Sequence, residues 1–134
     1  MKKLLFSVLS ILISIWATGQ VPNTWINEFH YDNTGTDEGE FVEVIVENPG
    51  TWDLSMIEVN LYNGNGGTVY DNQELSQFTA GATVGDFTIY YWYPSSIQNG
   101  EPDGLSLSYW DGASYTFVQF LSYEGTLTAT DGPA

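Results

Sequence analysis

The stretch LSLSYWDGASYTFVQFLSY, Leu105 to Tyr123, decides the fold class. Its flanks, Leu105 to Trp110 and Tyr115 to Tyr123, carry no charge and are rich in aromatic residues, and DGAS lies between them. Aromatic side chains suit a pleated surface, and Asp with Gly suits a tight reversal, so the stretch reads as an antiparallel hairpin. The same grammar recurs toward the N-terminus. Asp86 to Tyr93 (DFTIYYWY) reads as a strand ended by Pro94. In Ser55 to Tyr62, Ile57, Val59 and Leu61 alternate with Glu58 and Asn60, the period-two mark of a half-buried strand. The run NGNGG, Asn63 to Gly67, turns that strand into Thr68 to Tyr70. Phe41 to Glu47 (FVEVIVE) is almost continuously apolar, as a central strand is, and Asn48, Pro49 and Gly50 stop it. Thr24 to His30 (TWINEFH) is the first strand. About seven strands at short, regular spacing, with no helical period, predict an all-β sandwich; a small barrel is the alternative.

Composition agrees with one such domain. Of 134 residues, 43% are hydrophobic and 16% aromatic, too many for a disordered acidic tail despite a net charge of −15. Residues 1–19 stand apart from the fold. Lys2 and Lys3 precede the apolar run Leu4 to Trp16, and Ala17 and Gly19 supply a small-x-small cut, the pattern of a secretory signal peptide cleaved after Gly19. A membrane anchor is the competing reading, but the run is shorter than the ~20 residues that span a bilayer, and no basic flank follows it. The expected product is secreted and free of the membrane. It contains no cysteine, so no disulfide framework supports it although that setting permits one.

Both lysines lie in the leader, so residues 20–134 hold no Lys or Arg and all 17 acidic residues. A formal charge of about −17 repels phosphate backbones, and direct nucleic-acid binding by this segment is not expected. Cations or salt should stabilise it.

The run WINEFHYDNTGTDEGEFVEVIVENPGTWDLSMIEVNLYNG, from Trp25, resembles the opening of a bacterial lamin tail domain: INE, an acidic loop, GEFVE, a DLS turn and an amphipathic strand. IQNGEPDGLSL and VQFLSYEGTLTATDGPA are similar to later blocks of the same secreted subgroup, so the likeness covers residues 22–134. The chain departs from the pattern at Met56-Ile57, where the family usually places Gly-Trp. The resemblance implies an immunoglobulin-like β-sandwich serving as a non-catalytic binding or scaffolding module beside an extracellular nuclease, phosphatase or other hydrolase. The tail EGTLTATDGPA ends without a closing strand, which fits a chain continuing past Ala134 into such a catalytic domain.

The residues carry little catalytic chemistry. His30 is the only histidine, there is no G-x-S-x-G, and no lysine follows any Gly-rich loop. Two constellations merit a structural test. The first is the loop carrying Asp32, Asp37, Glu38 and Glu40, beside Asn33, whose oxygens could ligate Ca2+. It is not an EF-hand, since counting from Asp32 puts Asp37 at the sixth position and Gly39 at the eighth; a solvated acidic loop is the other reading. Asp103 reads as a turn residue before Gly104, with a weaker claim as a ligand. The second constellation is aromatic. Tyr90 to Tyr93 and Tyr109-Trp110 alternate faces, so half of each set points away from any core; Trp92, Tyr93 and Trp110 are the candidates to face solvent and stack on a polysaccharide, unless those rings cover the core and its edges. The partner expected is a polysaccharide or a protein, besides a downstream catalytic domain in the same chain.

Overall fold

The structure, a computed structural model, describes residues 20–134. The expected signal peptide, residues 1–19, lies outside them. The described chain forms eight strands: β1 (Thr24–His30), β2 (Phe41–Glu47), β3 (Ile57–Asn63), β4 (Thr68–Glu74), β5 (Thr79–Val84), β6 (Phe87–Trp92), β7 (Asp103–Trp110) and β8 (Tyr115–Tyr123). They build two four-stranded sheets, ordered β1-β2-β6-β5 and β4-β3-β7-β8, with every neighbouring pair antiparallel. The chain lays down one hairpin in each sheet by turns: β1-β2 and β5-β6 meet through β2 and β6, and β3-β4 and β7-β8 meet through β3 and β7. Each sheet keeps two edges, so the architecture is a sandwich.

Seven of the strands fall where the sequence places them. The eighth, β5, carries no signal in the sequence. Its residues TAGATV are all exposed, so it lacks the apolar alternation that marks a half-buried strand, and only its pairing with β6 makes it one.

The core lies between the sheets. Val42, Val44 and Val46 of β2 face Ile57, Val59 and Leu61 of β3, with Leu105 and Leu107 of β7, and all are at most 1% exposed. The DLS segment is a short 3-10 turn, Leu54–Met56, capped by Asp53, whose Oδ1 accepts from the Ser55 amide at 3.1 Å. Ile57, at the departure from the lamin tail pattern, is wholly buried. The β1 amide of Ile26 donates to Gln119 Oε1 at 2.8 Å, a side-chain link from one sheet to the other.

The C-terminal segment returns across the outside of the second sheet. Thr130 donates to Gly67 and Gly66 carbonyls at 2.8 and 2.6 Å, and the Val69 amide donates to Asp131 Oδ1 at 2.7 Å. Beneath it Tyr62, although it points outward, has no exposure. Gly67 permits this approach: its φ is +70°, and a Cβ there would run into the Thr128 carbonyl.

Candidate functional site

The outer face of the second sheet carries the candidate site. Its residues are the polar partners of the core positions: Glu58 and Asn60 alternate with Ile57, Val59 and Leu61 on β3, and Ser106, Ser108 and Trp110 alternate with Leu105, Leu107 and Tyr109 on β7. Pairing of β3 with both neighbours sets them side by side. Glu58 stands opposite Glu74 on β4 and Ser108 on β7, and Asn60 opposite Asn72 and Ser106.

The β7-β8 turn supplies an aromatic wall. Asp111 Oδ1 accepts from the amides of Ala113 and Ser114, both at 2.8 Å, and those bonds hold its carboxyl below the usual carboxylate range. Gly112 takes φ +96° inside the turn. The reversal sets Trp110 opposite Tyr115, with ring centroids 4.9 Å apart and planes inclined at 54°. Burial, then the charges of Glu58 and Glu74, push the Tyr115 hydroxyl above its ordinary value, so it is a neutral donor at neutral pH.

These residues line two adjoining clefts that share Glu58 and Tyr115. One, of ≈ 360 Å³, also holds Met56, Glu74 and Trp110; the other, of ≈ 430 Å³, also holds Asn60, Asn72, Asp131 and Pro133. Two features are energetically costly. Glu58 and Glu74 are like charges directly across a strand pair, which destabilises a sheet. Asn60 and Ser108 are 1% and 0% exposed, yet Asn60 Nδ2 and Ser108 Oγ have no hydrogen-bond partner. A ligand that donates to Glu58 and Glu74 and accepts from Asn60 would relieve the charge repulsion and satisfy the Asn60 amide.

Comparison with protein-family models, curated proteins and solved structures returns no match. The site therefore rests on its own geometry.

The sequence-predicted residues are dispersed by the fold. Trp110 lies in the groove. Trp92 does not: the alternation of β6 turns Thr88, Tyr90 and Trp92 inward, and Trp92 is 8% exposed against Phe78, with centroids at 5.9 Å. This places Trp92 in the core and corrects the expectation of an exposed ring. Tyr93 is exposed on the other sheet, stacked on Tyr91 at 6.3 Å. That face also carries Trp25 against Phe87, but its buried carboxylate, Glu43, is partnered by the Asn27 amide and the Tyr91 hydroxyl.

Of the acidic-loop carboxylates, Asp37 and Glu40 line one cleft of ≈ 420 Å³ with Gln98 and Asn99, and Asp32 and Glu38 do not join them there. Asp37 accepts from the Asn33 amide at 3.1 Å and from Asn99 Nδ2 at 3.2 Å, and Glu40 accepts from the Ile97 amide at 2.9 Å. Both tie the 31–40 loop to the 95–100 loop, while Asp32 and Glu38 are exposed. Among the described residues no three His, Cys, Asp or Glu side chains are grouped to hold a metal ion. Asp103 is not a turn residue but the first residue of β7, paired with Asn63 and Tyr123; buried, it accepts from the amides of Gly64 and Gly100 at 2.9 and 2.8 Å. His30 Nε2 lies 3.2 Å from Asn33 Oδ1, which orients that loop.

Sequence reasoning missed Tyr115, Asn60, Ser108 and Glu74 as one site. Each outward position is visible in the alternation, but the β3-β7 pairing that joins them spans more than forty residues and leaves no local signal.

Proposed function

We propose that this chain is a non-catalytic extracellular binding and scaffolding module of the lamin tail type, an immunoglobulin-like sandwich within a longer secreted hydrolase such as a nuclease, and that it binds through the outer groove of the second sheet. The observation that carries the binding surface is the buried, unpartnered Asn60 Nδ2 on a residue that lines the larger cleft, beside the Trp110–Tyr115 wall. Buried polar groups are almost always satisfied, so an unpartnered one at the wall of a cleft calls for a partner from outside the fold, a ligand or an ordered water. The assignment as accessory to a hydrolase rests on the resemblance of residues 22–134 to lamin tail domains. Residues 20–134, with one histidine and no cysteine, lysine or arginine, offer few of the groups that nucleophilic or acid–base catalysis uses.

The intact mass of the native secreted protein tests the domain context. A mass well above that of residues 20–134 supports a module in a longer chain; a mass equal to it removes the hydrolase. Glu-specific digestion is needed for mapping, since trypsin has no site after Lys3. For the surface, the double variant Trp110→Ala, Tyr115→Ala should lose retention on the producing culture's extracellular matrix with an unchanged fold by circular dichroism. Undiminished retention contradicts the groove assignment.

A further inference from the structure

We infer that the groove of the second sheet takes a neutral polysaccharide chain, an inference that rests on the binding role proposed for that groove. The groove's hydrogen-bonding groups are mixed, and only a ligand that both donates and accepts matches them. Glu58 and Glu74 offer acceptors only, whereas Asn60 Nδ2 is a donor lacking an acceptor. An ammonium or guanidinium group has no acceptor to give Asn60, and an anion has no donor to give the carboxylates. A sugar hydroxyl is donor and acceptor at once. Adjacent hydroxyls donating to Glu58 and Glu74 would also ease the repulsion between two carboxylates set directly opposite each other.

Charge narrows the class further. With no Lys or Arg in residues 20–134, nothing in the groove compensates a uronate, sulfate or phosphate. The aromatic wall supplies the apolar half of sugar recognition: Tyr115 is 46% exposed, and the ring faces of Tyr115 and Trp110 accept the C–H faces of a pyranose. Shape supplies the last argument. The two clefts share Glu58 and Tyr115 and have volumes of ≈ 360 and ≈ 430 Å³, so neighbouring rings of one chain could occupy them in turn. Trp110 and Tyr115 then hold one ring by stacking, Glu58 and Glu74 bind its hydroxyls, and Asn60, Asn72 and Asp131 bind the next.

Isothermal titration of the secreted protein tests this, with neutral hexasaccharides of glucose, xylose and mannose in α and β linkages, each to about 10 mM, a range that captures millimolar binding. A lysine hexapeptide and a uronate hexasaccharide are the charged probes. Saturable binding of at least one neutral hexasaccharide is expected, weakened about tenfold or more by Tyr115→Ala and by Asn60→Leu and unchanged by Tyr93→Ala on the opposite sheet. Both groove variants are first checked for a cooperative melt at or above the native Tm, and Tyr115→Phe, which keeps the ring, should retain most of the affinity. Binding of the lysine peptide alone, sensitive to Tyr115→Ala, would overturn the polysaccharide and leave the groove as a protein-binding surface. Binding of no probe would overturn the inference and count against the groove itself. Neutral-glycan binding that survives Tyr115→Ala and Asn60→Leu would place the sugar elsewhere and overturn this assignment.

Discussion

Replacing Asn60 by leucine should make the protein more stable while removing its ligand. Asn60 is 1% exposed, and its Nδ2 donates to nothing. A buried donor without a partner carries a desolvation penalty of about 1–3 kcal/mol, which an apolar side chain of the same branching does not incur. Leucine is bulkier than asparagine, and overpacking in a filled core costs about 1–3 kcal/mol, enough to cancel the gain. Here it should not, because Asn60 borders an open cleft of ≈ 430 Å³ into which the added methyl volume can extend. Strand propensity works in the same direction, since asparagine is depleted in strands. For a domain of this size 1 kcal/mol moves Tm by roughly 4 °C, so Asn60→Leu should raise Tm by roughly 4–12 °C in differential scanning calorimetry. Asn60→Val, smaller and β-branched, should also raise it. A lower Tm in both variants would show that the Asn60 amide is satisfied in solution and would refute the reasoning that treats it as reserved for a ligand.

Removing the Asp103 carboxylate leaves the Gly64 and Gly100 amides without their acceptor, so Asp103→Ala should lose roughly 2–5 kcal/mol in urea denaturation. Asp86→Asn, at an exposed position, should change stability little; equal losses in both would contradict the role given to Asp103. Gly67→Ala forces a side chain into φ +70°, at about 1–2 kcal/mol, and against the Thr128 carbonyl, so it should release the C-terminal segment and speed hydrogen exchange at the Thr130 amide. Full protection at Thr130 would show that the segment is held another way. Burial above all raises the hydroxyl pKa of Tyr62, Tyr70 and Tyr123 above 10.0. The unfolded chain therefore ionises first: stability is complete below about pH 10 and declines as pH rises beyond it, which urea melts at about pH 8 and about pH 11 should show.

Most of the architecture was legible because the sandwich is built from period-two strands with Gly, Pro and Asn stops. FVEVIVE and the Leu105–Tyr123 hairpin need no tertiary information to be recognised. β5 was illegible for the complementary reason: a fully exposed strand of small residues has no apolar stripe to read. The site was harder. Alternation shows that Trp92 and Tyr93 lie on opposite faces without showing which faces the core, and the buried neighbours Thr88 and Tyr90 decide it for Trp92. Spacing of carboxylates in the 31–40 loop measures proximity along the chain, whereas Asp37 and Glu40 turn out to hold the neighbouring 95–100 loop. Trp110 was found because it is large and aromatic. Asn60 and Ser108 acquire meaning only through burial, which a single sequence does not display.

The most direct test of the binding surface is an NMR titration of the isotope-labelled protein with the tightest-binding neutral hexasaccharide, following every assigned backbone amide. The account predicts shift changes concentrated at Glu58, Asn60, Asn72, Ser108, Trp110 and Tyr115, with Phe41, Phe87 and Tyr91 on the opposite sheet unmoved. Changes concentrated on that opposite sheet, or around the Asp37–Glu40 loop, would contradict it.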